Sequence, residues 1–223
     1  MSAKVIRVQG SGKAGQSPDR ITLYLDIAQV HESFTEAVDG CNSRVEGIRN
    51  AISEAELDPL DLKTISFLVE DAFEYQNDQR VRIGYEATHR TRFEMEFDQE
   101  LVARVMTLIS RSGYKPNVST SFHISDREVL RRRVLEIAVG NATCRAEAIA
   151  HSAGLKLGAI QLMEHEAVGI PLSGTSVKTP EIFYSKSARY SHKDPDRTWT
   201  IEPQDVVAEA TVLIAWELIE APN

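Results

Sequence analysis

The first candidate for chemistry is a glycine-rich segment near the amino terminus, in which Gly10, Gly12 and Gly15 have the spacing G-x-G-x-x-G. That spacing binds dinucleotide phosphates when the glycines precede a helix, because the N–H groups at the helix N-terminus then point at the ligand. Here residues 20–27 alternate apolar and polar side chains, which predicts a strand instead. A P-loop is excluded because Lys13 is followed by alanine. We therefore predict that the glycines form a turn between two antiparallel strands and hold no phosphate.

Metal-ligating and nucleophilic residues are dispersed along the chain. The six histidines form no HExxH motif, the two cysteines form no CxxC motif, and no G-x-S-x-G segment marks a serine nucleophile. Glu164, His165 and Glu166 are the tightest cluster, but a strand would place His165 on the face opposite to both carboxylates. His89 is expected to be a hydrogen-bonded core or interface residue. The sequence therefore predicts no catalytic residue, no metal site and no cofactor.

Composition restricts the partners. The chain has 223 residues and a net charge of −8, and Arg131–Arg133 is its only basic run, which argues against nucleic-acid binding. Cys41 and Cys144 are both expected at apolar helix positions as small hydrophobic residues, not in a disulfide. No apolar window is long enough to span a membrane. Because the residues after Met1 resemble no signal peptide, we expect a cytoplasmic protein, or a periplasmic one if a leader has been removed.

Three helices are expected to position these residues. Two follow apparent capping boxes, Ser33-x-x-Glu36 and Ser125-x-x-Glu128, and a shorter one follows Asp98. Gly113 and Gly154 are expected to end the second and third helices. In the third helix Gly140 is expected to allow another backbone to approach. Its predicted apolar stripe comprises Leu130, Val134, Ile137, Cys144 and Ala148.

The remaining segments indicate strands, and one of them is unusually long. Residues 81–97 alternate over 17 positions, which exceeds a usual strand, so this hairpin is expected to bend at Gly84 and to project from the domain. Its polar face is either a solvated face of self-paired charges or a surface that meets another subunit. The charged side chains of that face are Arg82, Glu86, Arg90, Arg92, Glu94 and Glu96. The other strands are predicted over 5–10, 20–31, 62–75, 118–124, 159–168 and 206–218.

Residues 169–200 form a long segment rich in Ser, Thr, Gly and Pro. Such a length is uncommon in compact domains, and a mobile insertion is one interpretation. Its aromatic residues favour the other interpretation, partial ordering against a neighbour. These aromatic residues are Phe183, Tyr184, Tyr190 and Trp199.

In this order, the elements and motifs resemble the SIMPL-domain family, a bacterial family of unknown function. The likeness covers residues 5–168 and 201–218, and each motif is weak alone, but their order is specific. Two departures are the lack of an export signal, which family members commonly carry, and Gln204 in place of a family glycine. The motif residues are Val8, Gly10, Ser11, Gly12, Pro18, Asp19, Asp61, Leu62, Thr64, Ile83, Gly84, Tyr85, Ala87, the alanines 138, 142, 146 and 150, Gly154, Gly158, Ile201 and Pro203.

The resemblance implies an α+β fold: a twisted antiparallel sheet with two long helices and one shorter helix on one face, within a single domain over 1–223. It also implies oligomers, ring-like in some relatives, with roles in stress tolerance or in binding a protein partner, and no catalytic residues. We expect a non-enzymatic, self-associating module. The alternatives are a small-molecule-binding or enzymatic domain with a pocket under residues 169–200, and an adaptor for a protein partner. Candidate interface residues are Tyr75, Arg82, Arg90, Arg92, Tyr184 and Trp199.

Overall fold

The computed structural model describes residues 4–76, 79–165 and 202–220. These ranges contain helices and antiparallel strands in comparable amounts, so the predicted α+β class is confirmed. The expected segment 169–200, with its aromatic residues, lies outside the described residues. In chain order the elements are β1 (Val5–Gln16), β2 (Arg20–His31), α1 (Phe34–Glu54), a 3-10 turn (Pro59–Asp61), β3 (Lys63–Gln76), β4 (Gln79–Glu96), α2 (Gln99–Arg111), β5 (Asn117–His123), α3 (Arg127–Ser152), β6 (Leu155–His165) and β7 (Val206–Glu220).

The strands divide between two sheets, whereas the sequence predicts one. One sheet has the order β1-β7-β6 and the other the order β3-β4-β2-β5. The predicted pairing of the first two strands is wrong, because β1 pairs along its whole length with β7, and β2 pairs with β4. Side-chain alternation identifies a strand but does not specify which partner it takes.

Each sheet belongs to one of two compact units. Within the described residues, the first unit comprises 4–18, 123–165 and 204–220, and the second comprises 19–76, 79–122 and 202–203. The prediction of a single domain over 1–223 stays a prediction, because compact units of one chain can fold together.

In the first unit, α3 packs on β1 and β7 through a row of small residues. Gly10 and Gly12 lie inside β1, not in a turn, and this corrects the sequence-based expectation. A Cβ atom on Gly10 would lie 2.2 Å from the Ala138 carbonyl oxygen, and one on Gly12 would lie 2.2 Å from that of Val134. These glycines therefore let the α3 backbone approach the strand closely. We call this contact the glycine–alanine seam.

The buried stripe of α3 differs from the predicted one. Cys144 and Ala148 are exposed and Ile137 is half-buried. A Cβ atom on Gly140 would have no neighbour within 4 Å, so the expected role of this glycine in close approach is also wrong. Alanines spaced four residues apart form the stripe because only short side chains fit against a glycine strand. The buried residues are Leu130, Val134, Ala138, Ala142, Ala146 and Ala150.

In the second unit, α1 packs on β2 and β4 and against α2. The alternating apolar side chains of β2, which the sequence predicts, are buried against the apolar stripe of α1, although Phe34 at the start of this helix is 52% exposed. Cys41 is buried as expected, and its thiol donates to the Ile27 carbonyl at 3.6 Å. The largest contributions to this core come from Ile21, Leu23, Leu25, Ile48, Ile52, Phe93, Val102 and Val105.

The helix ends confirm some of the predicted signals and contradict others. Asp98 caps α2 by accepting from the Leu101 N–H at 2.8 Å, as expected. Neither capping box forms: the Ser33 side chain makes no cap hydrogen bond, and α3 is capped by Asp126, which accepts from two backbone N–H groups. A carboxylate one residue further on replaces the expected serine because it can accept both bonds. Gly113 and Gly154 have φ angles of 78° and 72° directly beyond α2 and α3, as their assignment to helix ends requires.

Candidate interaction surface

The most unusual surface of the second unit is the edge strand β3. This strand has 14 residues, lies at one edge of the four-stranded sheet and, among the described strands, pairs with β4 alone. Its outer edge therefore presents backbone N–H and C=O groups that the sheet does not use. Nearly all of its residues are exposed. The apolar side chains among them are Ile65, Phe67, Leu68, Phe73 and Tyr75.

The β3–β4 hairpin bends and projects, as the length of the predicted strand requires. The last residue of β2, His31, pairs with Tyr85, so residues 79–84 of β4 pair with β3 alone. We call residues 72–76 and 79–84 the distal ribbon. The bend lies at Gly84, which has a φ of 141° and would place a Cβ atom 2.3 Å from the His31 carbonyl oxygen. A register shift lies beside it, because Ala72 pairs with Gly84 and Phe73 with Arg82.

Arginines and aromatic rings stack along the distal ribbon. The Arg80 guanidinium lies 3.8 Å from the centre of the Phe73 ring, and that of Arg82 lies 4.5 Å from the centre of the Tyr85 ring. Arg82 also binds Asp71 at 2.8 Å, and this hydrogen bond raises the pKa of Arg82. Arg82 is thus held by Asp71 and Tyr85, which lie next to the distal ribbon on β3 and β4.

Tyr75 remains the most open aromatic residue of the strand, with 77% of its surface exposed. It lies opposite Arg80 in the ribbon. An amphipathic ring at the end of a projecting hairpin is suited to contact another molecule.

One arginine of the charged face of β4 is paired with a residue of the neighbouring strand. Arg90 forms a bidentate pair with Asp26 of β2, at 2.7 Å from Nε to Oδ1 and 3.2 Å from Nη2 to Oδ2. Arg92 lies opposite Lys63 of β3, so two like charges face each other across the strands. Both line a shallow cavity of about 270 Å³ together with Arg20, Asp61 and Glu94.

His89 fixes the inner side of β3. Its Nε2 lies 2.8 Å from the Thr64 hydroxyl, and its ring meets that of Phe67 edge to face, with centroids 5.4 Å apart. The Nδ1 atom is buried and has no hydrogen-bond partner among the described residues. Burial, and then the positive charge of Arg49, lower the pKa of His89. The predicted role of His89 as a hydrogen-bonded residue is confirmed.

The other candidate residues do not converge on one site. Gly10 and Gly12 lie in the glycine–alanine seam of the first unit and Gly154 at the end of α3. Pro18 precedes β2, and the carbonyl of the neighbouring Asp19 accepts from the Phe97 N–H at 2.9 Å within the second unit. Tyr184 and Trp199 lie outside the described residues.

The acidic–histidine cluster gives no metal site in the part of the chain that the structure describes. Glu164 and His165 are exposed at the end of β6, and Glu166 lies beyond the described range. Among the described residues, no group of three His, Cys, Asp or Glu side chains could hold a metal ion.

Sequence reasoning did not identify β3 as an exposed edge. The only available signal was the run Phe67-Leu68-Val69, which places apolar residues on both faces of a strand. Such runs usually indicate a strand buried on both faces. Here Leu68 is 55% exposed, so the run marks surface instead of core.

Two compact units, each with an antiparallel sheet packed against helices, define an α+β protein, and one of these sheets ends in a long exposed edge strand. The family model described as SIMPL, a protein of unknown function (DUF541), matches residues 6–216, which is nearly the whole chain. The chain belongs to the SIMPL family. No curated protein matches it. Across the described ranges, no helix combines the length and the apolar character that a membrane span needs.

Proposed function

We propose that this protein is a non-enzymatic module that associates with copies of itself through β3. The observation that carries this proposal is the edge strand itself, with 14 residues, an outer edge that no other described strand pairs with, and exposed apolar side chains. Natural edge strands are commonly protected by shortness, by charges or by a covering element. Residues 64–69 of β3 contain no charged side chain. An unprotected edge of this kind favours pairing with another strand.

The energetics of such pairing are favourable but modest. Phe67 and Leu68 keep about half of their surface exposed, at 44% and 55%. Full burial of such a side chain contributes about 1.5–3 kcal/mol, so covering the exposed half contributes about 1 kcal/mol for each. Two copies double this contribution, and backbone hydrogen bonds add to it. Because association costs at least about 4 kcal/mol of lost rotational and translational freedom, burial of these side chains only offsets that cost, and the backbone hydrogen bonds must supply the net affinity.

The test is a change of charge on the edge. Leu68→Lys places a cation at the centre of the proposed contact, and we expect it to convert oligomers to monomers in light scattering at micromolar concentration. Leu60→Lys is the matched control, because Leu60 is 66% exposed in the turn before β3 but lies off the strand. A wild-type chain that stays monomeric throughout the micromolar range contradicts the proposal. Equal dissociation by both variants contradicts the assignment to β3.

The same edge could instead receive a strand from a different protein, which is the adaptor hypothesis. That alternative predicts a monomeric chain that co-purifies with a polypeptide, and loss of this polypeptide in Leu68→Lys but not in Leu60→Lys. The small-molecule hypothesis depends on residues 169–200, which lie outside the described residues, and stays a prediction. A role in stress tolerance likewise stays a prediction.

A further inference from the structure

We propose that two copies of this chain pair β3 with β3 in an antiparallel arrangement whose two-fold axis passes through Phe67. This inference rests on the proposed function and adds the partner strand and its register. It follows from where the charges lie along β3. Lys63 is the only cation of the strand, and its carboxylates are Glu70, Asp71 and Glu74.

Symmetry limits the possible registers. In a two-fold antiparallel pair, one residue lies opposite its own copy and all others pair symmetrically about it. An axis through Glu70 or Asp71 places a carboxylate opposite itself, and an axis through Ala72 places Glu70 opposite Glu74. Like charges directly opposite each other destabilise a strand pair.

An axis through Phe67 places opposite charges, instead of like charges, across from each other. With every residue counted, it places Lys63 opposite Asp71 on both sides of the axis and Ile65 opposite Val69. In this count, no other symmetric register places Lys63 directly opposite a carboxylate. The apolar centre of the strand then meets the same apolar centre of its copy, with Phe67 against Phe67.

The irregularity at Ile65 preserves this match. Thr64 pairs with Thr91 and Ser66 with Arg90, so Ile65 has no partner on β4. If the second copy also skips Ile65, Lys63 lies opposite Glu70, and both side chains are on the face of the sheet that carries Arg92 and Glu86. In this count an axis through Val69 would place Lys63 opposite Glu74, but it would also place Phe67 opposite Asp71 and Leu68 opposite Glu70, so the axis through Phe67 is favoured.

The position of Lys63 in the isolated sheet supports this arrangement. Lys63 lies opposite Arg92 of β4, an unfavourable pair that a facing carboxylate would offset. Lys63→Glu replaces repulsion by attraction toward Arg92, but it also places a carboxylate beside Asp61 and Glu94, which line the same cavity, so the free energy of unfolding of the monomer should change little. The same change should weaken dimerisation about tenfold, since two cross-strand attractions become repulsions.

The direct test is a disulfide across the axis. Directly opposed residues of antiparallel strands have Cα atoms about 4.5–5.5 Å apart, which suits a disulfide. Phe67→Cys in a Cys144→Ser background, which removes the exposed native thiol, should form a covalent dimer under mild oxidation. Tyr75→Cys in the same background is the control, because its side chain is more exposed but lies eight residues from the axis.

The outcomes separate this inference from the proposed function. Covalent dimers from Phe67→Cys at least tenfold in excess over Tyr75→Cys, together with weaker dimerisation of Lys63→Glu at a nearly unchanged free energy of unfolding, support the register. An oligomer that forms no such disulfide, or that links equally through both cysteine variants, overturns the register and leaves self-association intact. A chain that is monomeric at every micromolar concentration overturns both.

Discussion

The glycine–alanine seam makes a sharp prediction for Gly10→Ala. The new Cβ atom would lie 2.2 Å from the Ala138 carbonyl oxygen and 2.6 Å from the Ala142 amide nitrogen. Ordinary contacts of this kind are near 3.5 Å, so α3 would have to move by about 1 Å away from β1. Overpacking of this kind costs about 1–3 kcal/mol, whereas alanine in a strand gains about 0.5–1 kcal/mol over glycine. We expect a net loss of about 2 kcal/mol in the free energy of unfolding.

Gly140→Ala is the matched control for this experiment. It introduces the same methyl group on α3, where nothing lies within 4 Å, and should stabilise the protein by up to about 1 kcal/mol. Urea denaturation followed by circular dichroism measures both changes, and hydrogen exchange should report faster opening of α3 in Gly10→Ala.

A second variant tests why Gly10→Ala loses stability. Because the nearest atom to the new methyl is a backbone oxygen, adding Ala142→Gly should restore little of the lost stability. A Gly10→Ala protein as stable as the wild type, or one fully rescued by Ala142→Gly, would refute the reasoning.

Three further outcomes are expected. Because folding lowers the pKa of His89, its contribution to stability should be complete above the ordinary histidine pKa of about 6.5 and should fall as the pH drops below it. His89→Gln should flatten this dependence in denaturation curves at several pH values. Gly84→Ala should lower the free energy of unfolding by about 3 kcal/mol or more, because both the positive φ and the His31 carbonyl oppose a side chain. Gly113→Ala, which has a positive φ but open space around it, should lower it by about 1 kcal/mol, and thermal unfolding measures both changes. A double-mutant cycle on Arg90 and Asp26 should give a coupling energy below about 1 kcal/mol, because both side chains are more than a third exposed.

The strands and helices of this fold could be predicted from the sequence far better than the partner that each strand pairs with. The alternation of 20–31 and 81–97, and the glycines after α2 and α3, are local signals, and the structure places strands and helix ends there. The partner of β1 is β7, some 200 residues away, and no local pattern encodes that choice. A cap also depends on one residue: Asp126 takes the place expected for Ser125 because a carboxylate accepts from two N–H groups.

The candidate surface could be predicted in part. Strand length required the bend at Gly84 and the projection of the ribbon, so Tyr75 and Arg82 could be identified from the sequence. The exposure of Phe67 and Leu68 could not, because an apolar run reads the same whether a strand is central or at an edge. Edge position is a property of the sheet order, which forms through long-range contacts.

The glycine-rich segment and the apolar run of β3 both differ in the structure from what their sequence patterns suggest. Gly10 and Gly12 have the spacing of a phosphate site, yet the α3 backbone covers them too closely for a ligand to enter. Beside Gly15 lies the Asp205 carboxylate, 3.3 Å from the position of a Cβ atom, and its negative charge would oppose a phosphate. The apolar run of β3, by contrast, looks like core and lies at the surface. The glycines that α3 covers allow close packing of this helix on the strand. The outer edge of the apolar strand is not covered by any other strand of the described sheet, and we propose that a partner strand would bury the most apolar surface there.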